Sequence, residues 1–151
     1  MKGFLFLILS FSLTGLTASA QNPVSWTFSS KKLSHQQYEI SITASIPKSW
    51  HVYSHKQPPE AIAVPTAIRF QANPLVQLKG AIKESGTLQK VKEEALGIEA
   101  WQYSNKLTYV QIVEVKTPSV KTNVGGSVVF QACTDEKCLP PATVTFQILL
   151  E

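Results

Sequence analysis

The chain has 151 residues, 44% of them hydrophobic and 16% charged, with a formal net charge of +4. Its lysines are scattered and its one arginine is Arg69, so the clustered basic face of a nucleic-acid reader is missing and the positive charge reads as solubility. Two cysteines exclude a disulfide-rich scaffold and leave two states open: Cys133 pairs with Cys138, or both stay reduced.

Residues 1–20 read as a targeting signal. Lys2 gives a positive start, Phe4–Leu9 and Phe11–Leu16 supply an apolar stretch, and Ala18-Ser19-Ala20 is a small-x-small cleavage site. The stretch is shorter than the roughly 20 residues a spanning helix needs. No cysteine follows the cleavage site, so a lipid-anchored form is not expected. The expected mature chain, 21–151, is one domain around one core. It lies outside the cytoplasm, where a disulfide persists, and has no later segment apolar enough to insert in a membrane.

The pattern that follows is of strands. Val24–Phe28 is a short first strand. Tyr38, Ile40, Ile42, Ala44 and Ile46 alternate with polar residues, the signature of a half-buried strand. Pro47 stops it, Trp50–Tyr53 is extended, and His55–Pro65 is a Pro-rich loop. Ile68 and Phe70 mark a strand ended by Asn73-Pro74. Val76 and Leu78, then Ile82, suggest further strand, punctuated by Gly80 and Gly86. Glu93–Gly97 reads as a loop, Trp101 and Tyr103 as extended, and Ser104-Asn105 as a tight turn.

Leu107–Lys116 reads as a long central strand with Leu107, Tyr109, Gln111, Val113 and Val115 on one face. Gly125-Gly126 reads as a turn into Ser127–Cys133. Thr143–Leu150 closes the fold with Val144, Phe146, Ile148 and Leu150 on one face. Short strands, frequent turn signals and nine prolines argue for an all-β antiparallel sandwich, with a barrel as the alternative.

Gln131–Pro141, QACTDEKCLPP, is the one segment that carries chemistry. A bridge there would close a ring of only a few residues across a hairpin mouth, and chain entropy gives it about 2 kcal/mol as a staple, against more than about 4 kcal/mol for a ring of about 100 residues. A small ring at a sheet edge is reachable by another protein's thiolate. Asp135 and Glu136 disfavour a thiolate, and only Lys137 favours one, so the pair is no aggressive nucleophile by itself.

Other constellations have blander readings. His51 and His55, bracketed by prolines, would lie about 13 Å apart on a strand, so no metal site is expected. Glu93-Glu94 could tune proton transfer but reads first as a solvated loop face. Trp26, Trp50, Trp101, Tyr103 and Tyr109 read as packing rather than a ligand surface. There is no G-x-S-x-G motif.

At the cysteine hairpin the sequence resembles the N-terminal periplasmic domain of DsbD, the bacterial thiol:disulfide interchange protein. The resemblance runs through Trp50-His51-Val52-Tyr53, Pro65-Thr66, Gly80-Ala81-Ile82-Lys83-Glu84, Leu96-Gly97 before Tyr103, Phe130-Gln131-Ala132-Cys133 and Cys138-Leu139-Pro140-Pro141. It implies an immunoglobulin-like sandwich with Cys133 and Cys138 as the active pair and no cofactor. It implies a periplasmic carrier that takes electrons from a thioredoxin-like or membrane thiol-transporter donor. The acceptors would be periplasmic disulfide proteins, including disulfide isomerases and the thiol-reducing branch of cytochrome c maturation.

Relatives cap the pair with a loop carrying an aromatic. The matching Glu93, Glu94, Ala95, Leu96 and Gly97 have none, and Leu96 is the nearest substitute. Tyr53 matches a tyrosine lining the site, and His51 stands where a second tyrosine is often found. The resemblance points to Cys138 as the partner-facing sulfur; the residues alone leave the order open. The channel and thioredoxin-like domain of the family are not matched, so the expectation is a carrier module alone. The reading from a different class is a non-catalytic immunoglobulin-like binding or assembly module with a structural hairpin disulfide.

Overall fold

A computed structural model describes residues 22–93, 97–117 and 120–151. Among the described residues nine strands follow one another: β1 Ser25–Lys32, β2 Gln37–Ser45, β3 His51–Tyr53, β4 Ala67–Phe70, β5 Val76–Glu93, β6 Ile98–Val115, β7 Thr122–Phe130, β8 Ala132–Cys133 and β9 Ala142–Leu150. All pairings are antiparallel. They form two sheets, β1-β2-β6-β3-β8 with β5 also on β6, and β4-β7-β9. The architecture is an immunoglobulin-like sandwich, not a barrel.

The alternating residues make the core. Ile40, Ile42, Ala44, Leu107, Tyr109 and Val113 from the large sheet are fully buried against Val128 and Phe130 of the small one, with Phe146, Ile148 and Leu150 closing the layer. Trp26 packs between Tyr109, stacked at 6.4 Å, and Phe130, edge-on at 5.1 Å. The packing role expected for these aromatics holds at Trp26, Tyr103 and Tyr109. Gln111, the polar member of its stripe, is buried and donates from Nε2 to the carbonyls of Lys79 and Ile112, as burial of an amide requires.

Four expectations need correction. β1 runs on to Lys32 rather than stopping at Phe28. β5 and β6 are single strands of 18 residues each; Gly80 and Gly86 do not end β5. Their ladder instead slips at Lys79/Lys83 and at Gly86/Leu88, bulges that bend a strand without ending it. Ser104-Asn105 is not a tight turn but lies within β6, with Asn105 at φ 65°. At this point β6 hands its edge from β2, paired through Leu107 and Lys106, to β3, paired through Tyr103 and Gln102.

Gly125-Gly126 is likewise no turn but the middle of β7. A Cβ on Gly126 would stand 2.5 Å from Phe146 Cζ and against the Arg69 carbonyl, so the glycine makes room for the ring. Gly126→Ala is expected to cost about 2 kcal/mol by overpacking, read as a lower urea midpoint with an unchanged slope.

The placement of β3 matters most for the site. Val52 pairs with Tyr103 of β6 on one side and Ala132 of β8 on the other. The chain leaves β7 in the small sheet at Phe130 and enters β8 in the large sheet at Ala132. The hairpin between β7 and β9 thus bends across the end of the sandwich and adds its tip to β3.

Candidate functional site

Cys133 and Cys138 form a disulfide, with Cα atoms 4.0 Å apart. They face each other across the hairpin as an antiparallel bridge. The Leu139 N–H donates to the Ala132 carbonyl at 2.9 Å and the Thr134 N–H to the Lys137 carbonyl at 2.7 Å. The cysteines therefore occupy the non-hydrogen-bonded position between these pairs, where side chains come closest. The turn is held by Thr134 Oγ1, which accepts from the N–H groups of Glu136 and Lys137 at 3.2 Å each. Gln131 Nε2 donates to the Leu139 carbonyl at 3.0 Å. The hairpin keeps its shape through hydrogen bonds that do not involve sulfur.

The two sulfurs differ in access. Cys133 is 0% exposed, whereas Cys138 is exposed and lines an open cleft of ≈ 590 Å³. His51 and Tyr53 form one wall, with ring centroids 5.4 Å apart and edge-on. His51 is the register partner of Cys133, so the two side chains share the outward face of the sheet. Burial lowers the His51 pKa below its ordinary value, and Asp135 in the hairpin turn opposes this. Burial raises the Tyr53 phenol. His51 is thus a neutral imidazole at neutral pH.

The expected cap is only partly within view. Glu94 and Leu96 lie outside the described residues. Glu93 is the last residue of β5, and Gly97 is exposed in the left-handed region at φ 66°. Their described neighbours Val91 and Ile98 do line the cleft.

The sequence reading missed most of the apolar wall. Val91, Ile98 and Ala100 lie on it, with Ile62 and Ala63 from the Pro-rich loop and the polar Gln102, Thr134 and Asp135. Ile62 is 78% exposed and Val91 46%. An available signal was that Ile98, Ala100 and Gln102 alternate with Trp101 and Tyr103 and so face away from the core.

His55, read beside His51 as a possible metal pair, points elsewhere. Its Nδ1 lies 2.7 Å from Glu84 Oε1. Glu84 also accepts from the His55 N–H at 2.7 Å, Ser54 Oγ at 2.7 Å and the Tyr103 hydroxyl at 3.1 Å. Desolvation alone would raise the Glu84 pKa. The His55 N–H, the Ser54 hydroxyl and the His55 ring together bring it below its ordinary value. Burial, and then the Glu84 charge, pushes the Tyr103 phenol up to about 12. This cluster anchors the chain directly after Tyr53.

Gln57 adds a second anchor in the same loop. Its amide donates to the Trp101 carbonyl at 2.6 Å and accepts from the Trp101 N–H at 3.0 Å, standing in for a strand residue beside β6. Among the described residues, no group of three or more His, Cys, Asp or Glu is placed to hold a metal ion, and no helix is long and apolar enough to cross a membrane.

No protein-family model and no curated protein sequence matches the chain. Solved structures do. The N-terminal periplasmic domain of ScsB from Proteus mirabilis superposes with a TM-score of 0.60 at 13% identity, over 87% of this chain and 48% of that one. This chain thus spans about half the length of that relative. The DsbD N-terminal domain from Neisseria meningitidis, in its complex with the PilB N-terminal domain, superposes with a TM-score of 0.54 at 13% identity, over 85% and 87% of the two chains. The resemblance read from the sequence holds at the level of the fold: the chain has the architecture of a DsbD N-terminal domain.

Proposed function

We propose that this domain is a thiol–disulfide exchange carrier. It takes reducing equivalents from a thioredoxin-like or membrane thiol-transporter donor and passes them to disulfide proteins of the periplasm, where its leader would send it. The observation that carries this reading is the asymmetry of the pair, one sulfur open in a cleft with an apolar wall and the other fully buried behind it. A donor thiolate attacks Cys138 Sγ. The Cys133–Cys138 bond breaks, a donor–Cys138 bond forms, and the electron pair leaves on Cys133. The donor's second thiolate then attacks its own sulfur in the mixed disulfide and releases Cys138 reduced. In the outward step Cys138 attacks an acceptor disulfide, and Cys133 resolves the product by closing the ring again.

The fold likeness to the DsbD and ScsB domains supports this reading, as does the ring's small value as a staple. The outward apolar residues Ile62 and Val91 give a partner something to cover. The deciding measurement is the reduction potential of the pair against glutathione. A carrier is expected well above about −300 mV; a value below that marks a structural bridge and supports a non-catalytic module instead.

A further inference from the structure

Under the carrier reading, the buried sulfur raises a problem that the cysteines do not solve. When Cys133 resolves a mixed disulfide on Cys138 it must act as a thiolate, yet it has no exposed surface. Burial in such surroundings holds a thiol protonated. Water has little access to the proton, so a neighbouring group has to take it.

We propose that His51 is that group, accepting the Cys133 proton as the sulfur closes the ring and returning it when the ring opens. The inference rests on the carrier reading and on the β3–β8 register. His51 and Cys133 are directly opposed across the strands, and an opposed pair has its Cβ atoms about 5 Å apart. That places an imidazole within reach of the thiol, directly or through one water. In the disulfide, Cys133 carries no proton to share, so the hydrogen bond belongs to the reduced and mixed-disulfide states.

The remaining titratable surroundings leave His51 the role. On its own strand the nearest is Tyr53, whose phenol is raised by burial and stays protonated. From the hairpin come Asp135, which acts on His51 through its charge, and the exposed Lys137. β6 presents the neutral Gln102. A neutral imidazole, which burial secures at neutral pH, is the form that can accept a proton.

The step balances. The Cys133 S–H proton passes to His51, and Cys133 S⁻ attacks Cys138 Sγ. The Cys133–Cys138 bond forms, the Cys138–acceptor bond breaks, and the electron pair leaves on the acceptor sulfur. His51 then loses the proton to water.

The test uses the reduced protein and an aromatic disulfide, dithiobis(nitrobenzoate), followed by stopped flow. The first thiolate released reports attack by Cys138, and the second reports ring closure by Cys133. At pH 7 His51→Gln is expected to slow the second phase at least about tenfold more than the first. His51→Tyr keeps a ring at the position, removes the base and is expected to do the same.

In the wild type the second phase should hold a plateau and fall only as pH drops through the His51 pKa, below 6.5. In the variants it should climb with pH toward the thiol's own titration. Asp135→Asn, at an exposed position, should move the wild-type fall to lower pH, because Asp135 raises the His51 pKa.

Equal slowing of both phases, or one pH profile shared by wild type and variants, overturns the role of His51. If the variants do not fold, the wild-type profile decides: a second phase that climbs through neutral pH without a plateau overturns it. Both failures are distinct from failure of the carrier reading, which shows as a low potential with ring closure still dependent on His51.

Discussion

Cys133→Ser protein, reduced and mixed with a small disulfide or an oxidised thioredoxin-like protein, is expected to accumulate a stable mixed disulfide. Cys138→Ser protein is expected to form at least about a hundredfold less in the same time. The reason is access. Exchange needs the attacking and attacked sulfurs nearly in line with the leaving one, and only Cys138 presents a sulfur to the cleft, since Cys133 has none of its surface exposed. Cys133→Ser also removes the resolving thiol, so the adduct has no internal route to collapse. Neither change should unfold the domain. The ring contributes about 2 kcal/mol, and the hairpin keeps the Ala132–Leu139 and Thr134–Lys137 hydrogen bonds. Intact-mass spectrometry without reductant reads the adduct directly. Equal adducts from the two variants would remove the asymmetry on which the carrier reading stands.

Replacement of Glu84 is expected to have the largest effect on stability. Glu84→Ala leaves the Ser54 hydroxyl, the His55 N–H and the Tyr103 hydroxyl without their shared acceptor. Loss of the shared charged acceptor from this part-buried cluster costs about 2 kcal/mol or more. The pH dependence has a definite sign. The carboxyl's folded pKa lies below its ordinary value of 4.5. Its stabilisation is therefore complete above the unfolded pKa and is lost as pH falls below 4.5 through the folded value.

Wild-type protein should lose stability along that limb, and Glu84→Gln should show a shallower one. Urea midpoints between pH 3 and pH 7 measure both; parallel curves would show that Glu84 does not titrate with folding. Ser54 and His55 directly follow Tyr53, so the same substitution loosens the wall of the cleft and should slow exchange at Cys138.

The sequence discloses the fold wherever alternation is unbroken. Tyr38 to Ile46, Leu107 to Val115 and Phe146 to Leu150 each put the expected side chains into the core, because a strand with one buried face must alternate. It misleads where local chemistry and long-range pairing disagree. Gly80, Gly86 and Ser104-Asn105 carry turn chemistry, yet the β5–β6 ladder spans them by slipping register. Gly125-Gly126 is a turn by local preference but pairs within β7, where Gly126 leaves Phe146 its space and Gly125 lies against Gln71 and Gln147. The continuity of these strands is set by partners far away in sequence.

The site divides in the same way. The cysteine hairpin is contiguous, so its residues could be read together. The facing of His51 and Cys133, 82 positions apart, depends on the register of two short strands, which no local pattern encodes. Glu84 was visible only as part of a resembling segment. Its role needs the fold, which brings Ser54, His55 and Tyr103 to one carboxylate. Ile62 sits in a loop whose course is fixed by Gln57 and by Thr66, whose hydroxyl donates to the Tyr53 carbonyl at 2.6 Å.

The bend of the β7–β9 hairpin has a mechanical consequence. Below the bend the two strands are zipped through nine register pairs, from Thr122↔Leu150 to Phe130↔Ala142, and the disulfide lies beyond the last of them. Tension along β9 meets that zipper first and would have to shear it open before any force reached the sulfurs. The bond lies beyond the β7–β9 ladder, so opening it would leave those nine pairs in place.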